Sequence, residues 1–205
     1  MKENLLDIVL IYPSDFPDDI INNEVCEFAS ENLNIKIQKN DNEPFACFEW
    51  IIPTAFGVYI LKPYFESFLS EMGKDHYTIL KRGLKNFSKK GKQFRLKLLT
   101  ATQSTEKISG NYNQSLSISI TIQTKNNKQI KMLFDDTLEK EDWDFAIDEL
   151  LNYLIENYES FPNDKLSNLL NEKVEKEHEL MYGIINPISK QIEFYNEREL
   201  RRKYK

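Results

Sequence analysis

Between His76 and Thr105 the chain carries eight lysines and arginines and no acid: Lys81, Arg82, Lys85, Lys89, Lys90, Lys92, Arg95 and Lys97. Cations at this density attract phosphates or another protein's carboxylates, because their fields add and nothing nearby cancels them. Lys81, Arg82, Lys85 and Lys89 share one side of a predicted helix. Arg95 and Lys97 fall on the outer face of a predicted strand, so two elements can present the set together. The plainer reading is a solvated helix end followed by a lysine-rich loop. Few aromatic residues interleave with these cations, which disfavours stacking on single strands.

A second set is acidic: Asp135, Asp136, Glu139, Glu141, Asp142, Asp144, Asp148 and Glu149. Carboxylates at a strand end suit metal-dependent chemistry. They equally suit the start of a helix, where the dipole favours them. A metal-dependent nuclease needs an acid on the strand itself, and strand 129–134 offers Lys131 and no acid, so that template fails.

A third set, Lys74, Asp75 and His76, stands at a helix junction beside Tyr77. Asp75 can orient an imidazole that titrates near neutrality, which makes this the place for a small-ligand site. The alternative is a capping Asp next to a surface His. The fourth set is aromatic, and in it Trp50, Phe56, Tyr59, Tyr64 and Phe65 are candidates for a partner-binding apolar surface. The same residues also suit a core helix or a membrane-inserting segment over 45–69. Glu49, Lys62 and Glu66 argue against stable insertion.

No dinucleotide or phosphate-loop glycine pattern, HExxH, GxSxG or EF-hand loop occurs, so no catalytic residue and no cofactor is assigned. Cys26 and Cys47 form no CxxC, and neither His76 nor His178 has a cysteine pair near it, so no metal site is assigned.

The elements that must position these residues follow from periodicity. Leu5–Tyr12 reads as a buried strand, and Ile21, Val25, Phe28 and Ala29 as the stripe of a helix started by Ser14 or Asp15. Ile35 and Ile37 alternate with Lys36 and Gln38 as a second strand, which completes a β-α-β unit. In the apolar stretch 45–73, Pro53 is expected to start a helix and Pro63 to kink or end it. Gly73 is expected to stop it, and Asp75 to cap a helix running to about Phe87.

Strands at 94–98, 116–123 and 130–134 alternate as half-buried antiparallel strands do, with a turn at Lys125-Asn126-Asn127-Lys128. Segment 101–115 is a loop or an extension of its flanking strands. A helix over 139–158 buries Trp143, Ala146, Ile147, Leu150, Leu151, Leu154, Ile155 and Tyr158. A second helix covers about 163–180. Met181–Ile185 and Gln191–Tyr195 pair across Asn186-Pro187, and the basic tail from Arg198 frays.

The fold class is therefore α+β: an N-terminal β-α-β unit, an apolar helical middle, an antiparallel sheet, and C-terminal helices with a terminal hairpin. At 205 residues the chain is read as one domain, 1–205. A sub-boundary near 160 would separate a main part, 1–158, from a helix, hairpin and basic tail over 163–205.

Net charge is −6, which disfavours wholesale coating of nucleic acid. Glu3 and Asp7 interrupt the first apolar run, so no signal peptide is read. The longest uncharged run, Trp50–Leu61, is too short to span a bilayer. A cytoplasmic location follows. Lys, Ile and Asn are abundant while Ala is scarce, and their codons point to a bacterium with an A/T-rich genome.

The Asp7-Ile8-Val9-Leu10 strand, the Trp50–Leu69 apolar segment, and the hairpin Ser117–Phe134 leading into Asp142–Tyr158 resemble small effector-associated components of bacterial conflict systems. The resemblance is one of topology over about residues 5–158, and it implies an adaptor rather than an enzyme. The leading expectation is a non-enzymatic bacterial interaction or regulatory module, a subunit of a defence assembly with a protein partner. The alternatives are an enzyme or binder of a phosphate-bearing ligand, nucleotide or nucleic acid, through 81–97, and a membrane-active effector using 45–69.

Overall fold

The computed structural model describes residues 6–14, 28, 34–40, 54, 56–67, 73–93, 114–171 and 180–204. Among the described residues seven strands form one mixed sheet: β1 (Ile8–Pro13), β2 (Ile35–Asn40), β3 (Phe56–Ile60), β4 (Gln114–Gln123), β5 (Gln129–Asp135), β6 (Met181–Ile185) and β7 (Ile192–Tyr195). Their spatial order is β2-β1-β3-β4-β5-β6-β7. Parallel and antiparallel neighbours alternate across it. β2 runs parallel to β1, β3 to β4, and β5 to β6; the pairs β1–β3, β4–β5 and β6–β7 are antiparallel.

The helices with described bounds are α1 (Lys62–Ser67), α2 (Gly73–Gln93), α3 (Lys140–Ser160), α4 (Lys165–Asn171) and α5 (Glu197–Lys203). The architecture is α+β, as the sequence periodicity indicates. The β1–β2 pairing is parallel, Ile8 opposite Ile35, as a β-α-β unit requires. The β4–β5 turn falls at Lys125–Lys128, with Asn127 in the left-handed region at φ 62°.

One face of the sheet carries the main core. Ile8, Leu10, Val58, Ile60, Ile118, Ile120, Ile122, Ile130, Met132 and Phe134 are buried there with α2 and α3. The alternation of period two fixes this face, because successive residues point to opposite sides. Trp143 packs on Phe134 and donates its Nε1–H to Asp135 O at 2.9 Å. Phe65 stacks on Tyr158 with ring centroids 4.9 Å apart.

Three expectations are corrected. Residues 56–60 are a central strand, not a helix. An unbroken apolar run suits a strand buried on both faces as well as a helix, and Gly57 favours the strand. Pro63 opens α1 instead of ending a helix, since its missing N–H costs nothing in a first turn. The tail from Arg198 does not fray. Asn196 and Glu199 form a capping box at the start of α5, and Leu200 is buried against Leu133, Tyr182 and Ile184.

The second face is also covered. Ser115, Ser117, Ser119 and Thr121 on β4, and Lys131 and Asp135 on β5, are all buried. The polar half of the alternation does not face water, so the half-buried reading of these strands is corrected as well.

Candidate interaction face

Glycine brings α2 onto the sheet. A Cβ on Gly91 would stand 1.9 Å from Ile118 Cγ2 on β4, and one on Gly83 would stand 2.7 Å from the Phe28 ring. No larger residue permits that approach. Gly91 lies in what the sequence suggests is a lysine-rich loop, yet α2 continues through it to Gln93.

α2 and α3 lie side by side and antiparallel, as their cross-links show. Tyr77 Oη donates to Asn152 Oδ1 at 3.4 Å. Lys85 Nζ lies 2.8 and 2.9 Å from the two Asp148 oxygens, and Lys81 Nζ lies 3.0 Å from one of them. Further along, Lys92 donates to Leu138 O and sits over the Trp143 ring. The hydrogen bond to Asp148 raises the Lys81 pKa above its usual value.

The other flank of α3 meets the β6–β7 turn. Lys190 Nζ pairs with Asp142 at 2.9 Å, and Ile192 N–H donates to Glu149 Oε2 at 3.2 Å. At about 100° per residue, Asp148 falls on one side of Phe145, and Asp142 and Glu149 on the other. Phe145 therefore points straight outward from the middle of this layer and is 54% exposed. The antiparallel alignment sets it level with exposed Lys89 on α2. Across α3, Ile188 at the turn is 91% exposed.

From Tyr77 to Gln93, α2 carries cations and no acid. Arg82 and Lys89 are exposed, and Lys81, Lys85, Lys90 and Lys92 are half-buried. Asp148 is the carboxylate that receives Lys81 and Lys85 together. The result is an outward aromatic bordered by the exposed cations Arg82 and Lys89 on one side and an exposed isoleucine on the other.

The structure thus brings together part of the basic set, with Lys81 and Lys85 also engaged in holding α3. Arg95 and Lys97 lie outside the described residues. Of the aromatic candidates, Phe56, Tyr64 and Phe65 are buried in the core and form no surface. Tyr59 is half-buried on the second sheet face, and Trp50 lies outside the described residues. Lys74, Asp75 and His76 fall within the first turn of α2, so Asp75 is not the residue before the helix; their side chains lie outside what is described.

The acidic set is largely consumed by structure. Asp135 Oδ1 accepts from Thr137 N at 2.8 Å, and Lys140 pairs with Asp144. Among the described residues no group of three or more His, Cys, Asp or Glu side chains could hold a metal ion.

Phe145 was open to detection in the sequence, because it is an aromatic residue off the apolar stripe of its own helix. Ile188 carried no such signal. No family model, no curated protein and no solved structure matches the chain.

Proposed function

We propose that the protein is a non-enzymatic interaction or regulatory module of a bacterial cytoplasm, a subunit of a defence assembly. It docks an acidic partner protein on the outward face of α2 and α3. The observation that carries this reading is Phe145, an exposed aromatic level with Lys89 and on the same side of the sheet as exposed Arg82. Interfaces favour an aromatic anchor inside a charged rim. The ion pairs of Asp148 and Asp142 hold α3 from both sides, so the anchor is presented on a rigid support, which lowers the ordering cost of binding. The defence setting rests on the topological resemblance.

The test is a tagged pull-down from native cells, with mass spectrometry and a nucleic-acid stain on the same eluate. Phe145→Ser and the double variant Arg82→Glu/Lys89→Glu are run beside the native protein. A stoichiometric protein partner, lost at least tenfold from both variants at unchanged melting temperature, is expected. A partner retained by both variants would overturn the assignment of this face.

The exposed cations Arg82 and Lys89 support a second reading, a phosphate-bearing ligand on α2. Bound nucleotide or nucleic acid, lost with Arg82→Glu/Lys89→Glu but kept in Phe145→Ser, would favour it. No described helix is long and apolar enough to cross a membrane. Use of 45–69 in a bilayer would require drawing β3 from the middle of the sheet.

A further inference from the structure

The α2–α3 layer carries opposite charges on its two ridges. From Tyr77 to Gln93, α2 has no acid, and Arg82 and Lys89 are exposed on it. α3 is the reverse. Its single cation, Lys140, is paired with Asp144. At about 100° per residue, Glu141, Asn152, Glu156 and Glu159 fall within about 40° of Phe145, and all are exposed. The outward line of α3 is therefore acidic with one aromatic in it, and the outward line of α2 is basic. The two ridges are of equal length, 21 residues each, and lie side by side.

Such a layer is complementary to a copy of itself. A two-fold axis between two layers, parallel to their helices, sets α2 of each copy over α3 of the other. It moves nothing along the helix direction, so the levels that hold within one copy also hold across the pair. Lys89 is level with the turn from Glu141 to Phe145. Arg82 stands about two turns away along α2. Its neighbours Lys81 and Lys85 both reach Asp148, which puts Arg82 level with Asp148 and Glu149.

Across the axis, Lys89 meets Glu141 of the second copy, and Arg82 meets Glu149. Phe145 of the second copy comes down beside Lys89, on the line that joins it to Arg82. The stems of these two residues give the ring an apolar seat, and their charges attract its π face. A two-fold axis running across the helices would instead lay α2 on α2 and α3 on α3, with like charges opposed.

The area agrees with this arrangement. Two helices about 31 Å long, side by side, present about 600 Å² per copy and about 1,200 Å² in a dimer. That is the lower end for a specific interface and suits a dimer that forms and parts in the micromolar range. The net charge of −6 per chain repels a second copy at long range and leaves recognition to the ridges in contact.

We propose, on the reading of this layer as an interaction face, that the acidic partner docked there is a second copy of the chain, in an isologous dimer built on Phe145, Lys89 and Glu141. Self-association then competes with any other protein for the same face.

The experiment is sedimentation velocity of the purified full chain across the micromolar range. Native protein, Phe145→Ser, Lys89→Glu and Glu141→Lys are compared, the last two also as an equimolar mixture, with melting temperatures to check folding. The native protein is expected to show a concentration-dependent monomer–dimer equilibrium. Each variant alone should raise the dissociation constant about tenfold or more. Mixing Lys89→Glu with Glu141→Lys puts opposite charges in both halves of the interface and should restore near-native affinity.

A native protein that stays monomeric would overturn the second copy as partner. So would a dimer that none of the variants weakens, or a mixture no tighter than its components. The reading of the face is judged separately. A foreign protein held by a monomeric native chain and lost with Phe145→Ser would leave that reading standing while the dimer falls. A monomeric chain that captures nothing would end both. If Phe145→Ser does not fold, the charge pair and its mixture still decide the matter.

Discussion

Asn157 joins three segments through one amide. Its Nδ2 donates to both Asp164 oxygens and to Ser167 Oγ, each at 3.1 Å, and its Oδ1 accepts from Lys125 N at 3.0 Å. Asp164 in turn accepts from Ser167 N at 2.8 Å, which fixes the start of α4. Burial works against the Asp164 charge, but the bonds from Ser167 and Asn157 outweigh it and leave its pKa below the ordinary value of 3.8. That stabilisation is whole above the ordinary value and is lost as pH falls through the depressed one. Asn157→Ala should cost about 1–3 kcal/mol at neutral pH, and the deficit should shrink in acid, as read by urea unfolding at several pH values. Nothing in the sequence marked Asn157, because a polar residue within a helix looks the same whether it faces water or a buried acid. Lys131 was hidden for a related reason. Alternation told which side of β5 it faces, while its burial depends on what covers that side.

α2 shows what can be read of an element and what cannot. Tyr77, Leu80, Leu84 and Phe87 gave its apolar stripe, and the structure buries the last three with Tyr77 packed against the core. Its end is not legible in the sequence, because Gly91, amid lysines, looks like a loop residue. It is instead the point of closest approach to β4. Gly91→Ala would improve intrinsic helix propensity by about 1 kcal/mol. It must nonetheless push α2 off Ile118, and overpacking of this kind costs about 1–3 kcal/mol or more. The variant is expected to melt lower than the native protein, whereas an exposed alanine substitution on the same helix such as Lys89→Ala should barely move the midpoint. β3 is hidden for a different reason: a five-residue strand inside a longer apolar run has no period that separates it from a buried helix. β4, β5, α3, β6 and β7 were legible because each keeps a strict period over its whole length, bounded by turn residues.

At the scale of the molecule, the chain after α3 is part of the main sheet. β6 pairs with β5, Met181 opposite Ile130, and α5 covers the far side of β6 through Leu200. Leu200→Ala should therefore cost about 2 kcal/mol or more, and a thermal melt should show one transition at lower temperature. If the tail merely frayed, the midpoint would not change. Strand order could not be read from the sequence, since β1 lies between β2 and β3 and β3 next to β4 only through contacts between distant segments. The interaction face was hidden with it, because Lys89 and Phe145 become neighbours only once α2 and α3 share the same side of the sheet.

The alternation of strand directions also sets an order of events. The β4–β5 and β6–β7 hairpins close over a few residues. The parallel joins, Phe56 with Ile118 and Ile130 with Met181, close loops of about 60 and 50 residues and should form late. Lys89 precedes β4 and Phe145 follows β5, so the two come level only when the slow β3–β4 join is made and α2 has settled. A partner that needs both residues would thus ignore nascent or half-folded chains, and its binding would report that folding is complete.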